Sequence, residues 1–171
     1  MNDPADRKLL RDLAAQYMDL CYDDRQSQRR TLWREHNSFQ QTPIPIYVRS
    51  FAWFEMHESR CQCKDPFWHS VESFFRISLF RSAFNDDFIF EPWLIVPAVY
   101  ITPSPEEWGG LWGMPVIWVG SENGPGAKRW DPPLKDPRDI QKLIPAHHRI
   151  DEAATEIKLS RVADMLGDIV P

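Results

Sequence analysis

The sequence predicts an α/β fold, and three observations carry that reading. Phe88 to Thr102 is an almost unbroken apolar run, interrupted by one carboxylate, Glu91, and by Pro92 and Pro97. Runs of β-branched and aromatic residues without polar alternation are what a sheet covered on both faces produces. Ile44 to Arg49 reads as a short earlier strand, and the segment between the two carries a helix signature, so the pair makes a β-α-β unit with parallel strands and a right-handed crossover. Pro92 cannot donate to a ladder, so the strand ends or bulges there and leaves Glu91 at its carboxyl end. That is where open α/β sheets and α/β barrels keep their chemistry.

The elements follow in order. Asp3, Pro4 and Asp6 supply a cap acceptor, a first-turn proline and a carboxylate for the positive end of the helix dipole. Leu9, Leu10, Leu13, Ala14, Tyr17, Met18 and Cys21 then form one stripe of an amphipathic helix reaching about Tyr22. Asp24 to His36 predicts a second, more polar helix with Arg29, Arg30, Leu32 and Trp33, its arginines forming a solvated face. Ser38 to Pro43 has loop composition, and Pro43 and Pro45 restrict the start of the Ile44–Arg49 strand. Asp65 and Pro66 repeat the cap-plus-proline signal, opening a long helix to about Phe84 that buries Phe67, Trp68, Val71, Phe74, Phe75, Leu79 and Ala83. Asn85, Asp86 and Asp87 turn into the central strand.

Beyond Thr102 the chain becomes irregular, with glycines and prolines framing Trp108 and Trp112. Long loops in a compact domain are commonly lids or binding loops. Pro115 to Val119 predicts a brief strand, Gly120 to Pro133 a further loop, and Asp136, Pro137 and Asp139 cap a short helix to about Ile144. A last helix from Asp151 to Leu166 buries Ile150, Ala154, Ile157, Val162, Met165 and Leu166, with Gly167 as its stop. Asp168 to Pro171 reads as the first residues of another strand.

Composition narrows the function classes. The 171 residues suffice for one domain with a real core, and 43% hydrophobic with 26% charged residues is a globular balance. A net charge of −5 leaves no electrostatic footprint for nucleic acid or an anionic membrane. The longest apolar run carries Glu91 and two prolines, which excludes a spanning helix of about 20 apolar residues. The acidic amino terminus lacks the basic and apolar regions of a signal peptide, and three cysteines make no disulfide framework, so a cytoplasmic chain is expected.

Several constellations could carry chemistry. His57, Cys61, Cys63 and His69 are ligand types that zinc accepts, but C-x-C is a poor chelate spacing and His69 falls in a helix, so no metal is expected. Cys63 could alternatively be a thiolate near the start of the Asp65 helix, without an identifiable base. His147-His148 reads as a surface pair. Gly124-Pro125-Gly126-Ala127-Lys128 lacks phosphate-loop spacing, and no nucleophile elbow, dinucleotide fingerprint or zinc-protease motif is present. Glu91 and Arg49 remain, each at the end of a predicted neighbouring strand. They form either a structural ion pair or two walls of a substrate pocket.

Four blocks together resemble the amino-terminal part of the uroporphyrinogen decarboxylase superfamily, particularly its bacterial members related to corrinoid-dependent methyltransferases. They are Arg29-Arg30-Thr31-Leu32-Trp33, Pro45-Ile46-Tyr47-Val48-Arg49, the Asp65-Pro66 helix running into Phe90-Glu91-Pro92-Trp93, and Leu134 to Leu166 ending in Gly167-Asp168. The resemblance implies an incomplete (β/α)8 barrel: residues 1–42 a helical extension, residues 43–171 the first β-α units of a TIM-barrel-like domain that breaks off early. It implies Glu91 as the catalytic acid, and Arg49 with Trp53 as substrate-binding residues, in a decarboxylase-like or methyltransferase-like lyase or transferase completed by the rest of a barrel. Arg49 is followed by Ser50-Phe51-Ala52-Trp53-Phe54, so the second arginine of the family's carboxylate-binding motif is missing, and the acid is one methylene longer than the family's aspartate. A small-molecule substrate or a corrinoid protein is the implied partner, no cofactor is identified, and a homo-oligomer or the missing barrel would cover the open edge. The other class that the residues allow is a non-catalytic module binding a partner or ligand through the Trp-rich loops at Trp108 and Trp112.

Overall fold

A computed structural model describes residues 3–102, 112–115, 117–120, 128–145 and 148–171. They form two compact units: Met1–Val96 with Lys158–Pro171, and Pro97–Ile157. Among the described residues four α-helices dominate: α1 (Pro4–Cys21), α2 (Arg25–Asn37), α3 (His69–Ser82) and α4 (Glu152–Leu166). The strands are short: β1 (Tyr100–Ile101), β2 (Ile117–Val119), β3 (Arg129–Asp131) and β4 (Arg149–Ile150). They pair antiparallel as β1 with β4 and β2 with β3, in two separate two-stranded sheets.

The first unit is built on α1. The Asp3 carboxylate accepts the Ala5 N–H at 2.8 Å and Pro4 opens the helix, as the cap signal requires. Leu10, Leu13, Ala14, Tyr17, Met18 and Cys21 are buried along one stripe, in a cluster with Trp68 and Phe75 of the α3 region and Val162, Met165 and Leu166 of α4. Arg11 closes α1 onto the carboxyl terminus with a bidentate pair to Asp168, both contacts 2.6 Å. The Asp65 carboxylate caps a 3-10 turn over Pro66–Trp68 that leads into α3, accepting the Phe67 N–H at 2.9 Å. Arg161 of α4 pairs with the same carboxylate and lies 3.9 Å from the Phe67 ring centroid.

Among the described residues there is no barrel, and the two predicted parallel strands are not strands. Ile44 to Arg49 and Phe88 to Val99 are irregular backbone, with a bend at Pro92-Trp93, and only Tyr100–Ile101 of the apolar run joins a sheet. Helix side chains take the place of a neighbouring strand. Gln26 Oε1 accepts the Phe90 N–H at 3.0 Å, the Tyr17 hydroxyl donates to the Glu91 carbonyl at 2.7 Å, and Trp33 Nε1 donates to the Asp87 carbonyl at 2.7 Å. Pro92 and Pro97 have no N–H to satisfy, so a proline-rich apolar run can lie on helices without a ladder. Burial alternates rather than covering both faces: Phe90 is 2% exposed, whereas Ile95 is 76% exposed.

The Asp86-Asp87 turn holds Ile44–Arg49 by the same device. Asp87 Oδ2 accepts the Ile46 N–H at 2.8 Å, and the Asp87 N–H donates back to the Ile46 carbonyl at 2.8 Å. Buried Asp86 accepts from Val48 N–H at 2.7 Å and from Arg81 at 2.9 Å. The Arg81 guanidinium lies 4.0 Å from the Tyr47 ring centroid and 3.8 Å from that of Phe88.

In the second unit, Tyr100 stands opposite Ile150, and Trp118 opposite Trp130. The Val99 N–H donates to Thr155 Oγ1 at 2.9 Å, and the Asp151 N–H to the Val99 carbonyl at 2.8 Å. The helix expected after Asp136 is a 3-10 turn, Pro137–Lys142, with a reciprocal Asp136–Asp139 capping box. Two residues expected to be buried around the last helix are exposed: Ile150 at 53% and Ile157 at 70%.

Candidate functional site

The candidates that the sequence singled out in the first unit do not converge. Glu91 pairs with Arg30 of α2 at 2.7 Å, and both side chains are partly exposed. Arg49 is exposed and makes no ion pair with Glu91, so the strand-end pair dissolves with the strands that were to carry it. Trp53 sits in a 3-10 turn (Trp53–Glu55), its ring 5.3 Å from that of Phe80 and its buried Nε1 without a partner among the described residues. Beneath Glu91, burial raises the Tyr17 hydroxyl well above its ordinary pKa, and burial likewise raises the Cys21 thiol. Neither group is poised to exchange a proton near neutral pH.

The cysteine and histidine cluster is organised around a carboxylate. Glu72 of α3 is fully buried and accepts the Gln62 N–H at 2.7 Å, the Cys63 N–H at 2.8 Å and Arg76 Nε at 2.7 Å. Burial pushes its pKa up, and the bonds from Cys63, Gln62 and Arg76 more than offset it, leaving the group below the usual range. The His69 ring donates through Nε2 to the Cys63 carbonyl at 2.9 Å, so that nitrogen is engaged. Among the described residues, no group of three or more His, Cys, Asp or Glu side chains could hold a metal ion. Burial, then Glu72, push the Cys63 thiol up to about 12, which is the reverse of an activated thiolate.

The second unit holds a cavity of about 500 Å³ lined by Trp112, Met114, Trp130, Pro132, Pro133, Leu134 and Leu143. Its volume lies within the roughly 300–1,000 Å³ of small-molecule sites. Trp130 belongs to β3, and Pro132-Pro133-Leu134 follows where the prolines end the pairing. Trp112 adopts φ +58°, a left-handed conformation costly for an aromatic residue, and its carbonyl accepts the Ile144 N–H at 2.9 Å. Gly113, at φ +75°, must be glycine: a Cβ would lie 2.7 Å from the Ile144 side chain. The turn therefore ties the Trp112 wall to the Leu143-Ile144 wall through a backbone hydrogen bond and a glycine that fits against Ile144.

Sequence reasoning reached Trp112 as a loop aromatic. Trp108 and His147, named with their neighbours, lie outside the described residues, as do residues 124–127 of the glycine-rich loop. Trp130, the proline pair and Leu143 were missed. The signal was available in Trp130-Asp131-Pro132-Pro133-Leu134, where an aromatic precedes a proline pair that stiffens one wall.

No protein-family model, no curated protein and no solved structure matches the chain. Among the described residues, no helix is long and apolar enough to cross a membrane.

Proposed function

We propose that this chain is a non-catalytic binding module that takes a small apolar, aromatic ligand in the cavity between Trp112 and Trp130. The observation that carries the reading is the cavity itself, walled by two tryptophans, two prolines, a methionine and two leucines. Such a lining binds by burying apolar area and stacking flat rings. It offers no acid, base or nucleophile among its lining side chains. A tight Trp112-Gly113 turn favours a preformed wall, which lowers the ordering cost of binding.

A decarboxylase-like or methyltransferase-like function was the other reading. It needs Glu91 and Arg49 at the ends of adjacent barrel strands, and neither strand exists; Glu91 is held by Arg30 instead.

The test is titration with naphthalene as an uncharged aromatic probe, read by tryptophan fluorescence. Wild type should saturate with a stoichiometry of one. Trp130→Ala should weaken binding by at least about tenfold, since a buried aromatic contact of this kind is worth on the order of 1.5 kcal/mol or more. Equal binding by wild type and Trp130→Ala would remove the cavity from consideration.

A further inference from the structure

In the first unit, apolar surface is left in water around the carboxyl end of α3. Ile44, Phe51 and Phe54 are 83%, 90% and 76% exposed, and Ile46, Tyr47 and Phe84 lie between 39% and 62%. At about 200 Å² for a whole large apolar side chain, those fractions leave about 800 Å² uncovered. The largest apolar patch on a typical monomer is about 300–600 Å², so this one calls for a cover.

The six side chains belong to one neighbourhood. The Ile46 N–H and carbonyl are both bonded to Asp87, in the turn after α3, at 2.8 Å each. The Arg81 guanidinium stacks on the Tyr47 ring, which lies 5.7 Å from that of Phe88. Trp53 packs on Phe80, and Phe80 meets Phe84 with ring centroids 5.3 Å apart. Phe51 and Phe54, on either side of Trp53, stay in water. Their turn is closed by the Glu55 N–H on the Ala52 carbonyl and the Met56 N–H on the Trp53 carbonyl, both 3.0 Å. The surface is therefore held in place before anything docks, which lowers the ordering cost of association.

The charges along this stretch say what the cover is. Arg49 and Arg60 are balanced by Glu55 and Glu58; all four are exposed, and none makes an ion pair among the described residues. A rim of one sign would repel a copy of itself. A mixed rim lets Arg49 of one protomer face a carboxylate of its partner, and a two-fold axis repeats that contact. The uncovered area also matches the roughly 800 Å² per partner that a stable interface buries.

We propose that this face, Ile44 to Phe54 with Phe84, docks a second copy of the chain as a two-fold dimer. It lies in the first unit and does not rest on the apolar cavity of the second.

Sedimentation equilibrium of the full chain across the micromolar range tests it. Wild type should approach twice its 20.1 kDa as concentration rises. Phe51→Ser should raise the dissociation constant at least about tenfold, as expected for removing a central aromatic anchor. Arg49→Glu, which unbalances the rim, should raise it at least about fivefold. Both positions are exposed, so the circular dichroism of each variant should match wild type. Wild type at 20.1 kDa throughout overturns the proposal, and flotation of that monomer with phosphatidylcholine vesicles would assign the face to a lipid surface instead. Either variant dimerising like wild type also overturns it, since the dimer would then use another surface.

Discussion

Replacing Glu72 by glutamine tests the packing of the first unit most severely. The carboxylate is 0% exposed and collects three partners: the Gln62 and Cys63 N–H groups and Arg76, whose side chain is only 16% exposed. Glutamine keeps one acceptor oxygen, so its amide must face a backbone N–H or the guanidinium. One buried donor is then left unmade, at about 1–3 kcal/mol, and Arg76 loses its counter-charge. Breaking a buried pair from one side costs about 3–5 kcal/mol in total. In urea, with a slope of about 2 kcal/mol per M, the midpoint should fall by about 1.5–2.5 M at pH 7. The sign of the pH dependence follows from the depressed pKa of Glu72 in the folded state. Its stabilisation is present above the ordinary value of 4.5 and is lost as pH falls through the lower folded value. The gap between wild type and Glu72→Gln should therefore narrow on acidification below about pH 4.5. A midpoint shift under about 0.5 M at pH 7, or a gap that widens in acid, would refute the argument.

Asp86→Asn should cost about 2–4 kcal/mol, because Oδ2 accepts from both the Val48 N–H and Arg81 and Oδ1 from the Phe88 N–H, so the new amide nitrogen must face one of these donors and Arg81 loses its counter-charge. Amide hydrogen exchange at Val48 should accelerate with it, and unchanged exchange would show that the Asp86 clamp does not hold Ile44–Arg49. Cys63, with its thiol pushed from 9.0 to about 12, should react with iodoacetamide at pH 8 at least about a hundredfold more slowly in the native protein than in urea. Equal native and unfolded rates would contradict its burial.

Helices were legible because their signals are local. Asp3-Pro4 and Asp65-Pro66 place starts that the structure keeps, and the Leu10-to-Cys21 stripe names the buried face of α1. The strands were misread because apolar content does not say who satisfies the backbone. Phe88 to Thr102 has the composition of an interior strand, yet Gln26, Tyr17 and Trp33, far away in sequence, provide the bonds that a ladder would have provided. The same distance hid the partner of Glu91: Arg30 lies 61 residues earlier, on a helix expected to face water. Trp112 was visible as a loop aromatic, but its partner wall at Trp130 depends on the β2–β3 pairing, which two three-residue strands scarcely announce.

The most direct test of the binding account follows the indole N–H resonances during titration with naphthalene. Trp112 and Trp130 should move together along one saturable curve, while Trp68, fully buried in the other unit's core, stays in place. Indoles that all drift in parallel, or a pair at Trp112 and Trp130 that never moves, would contradict it.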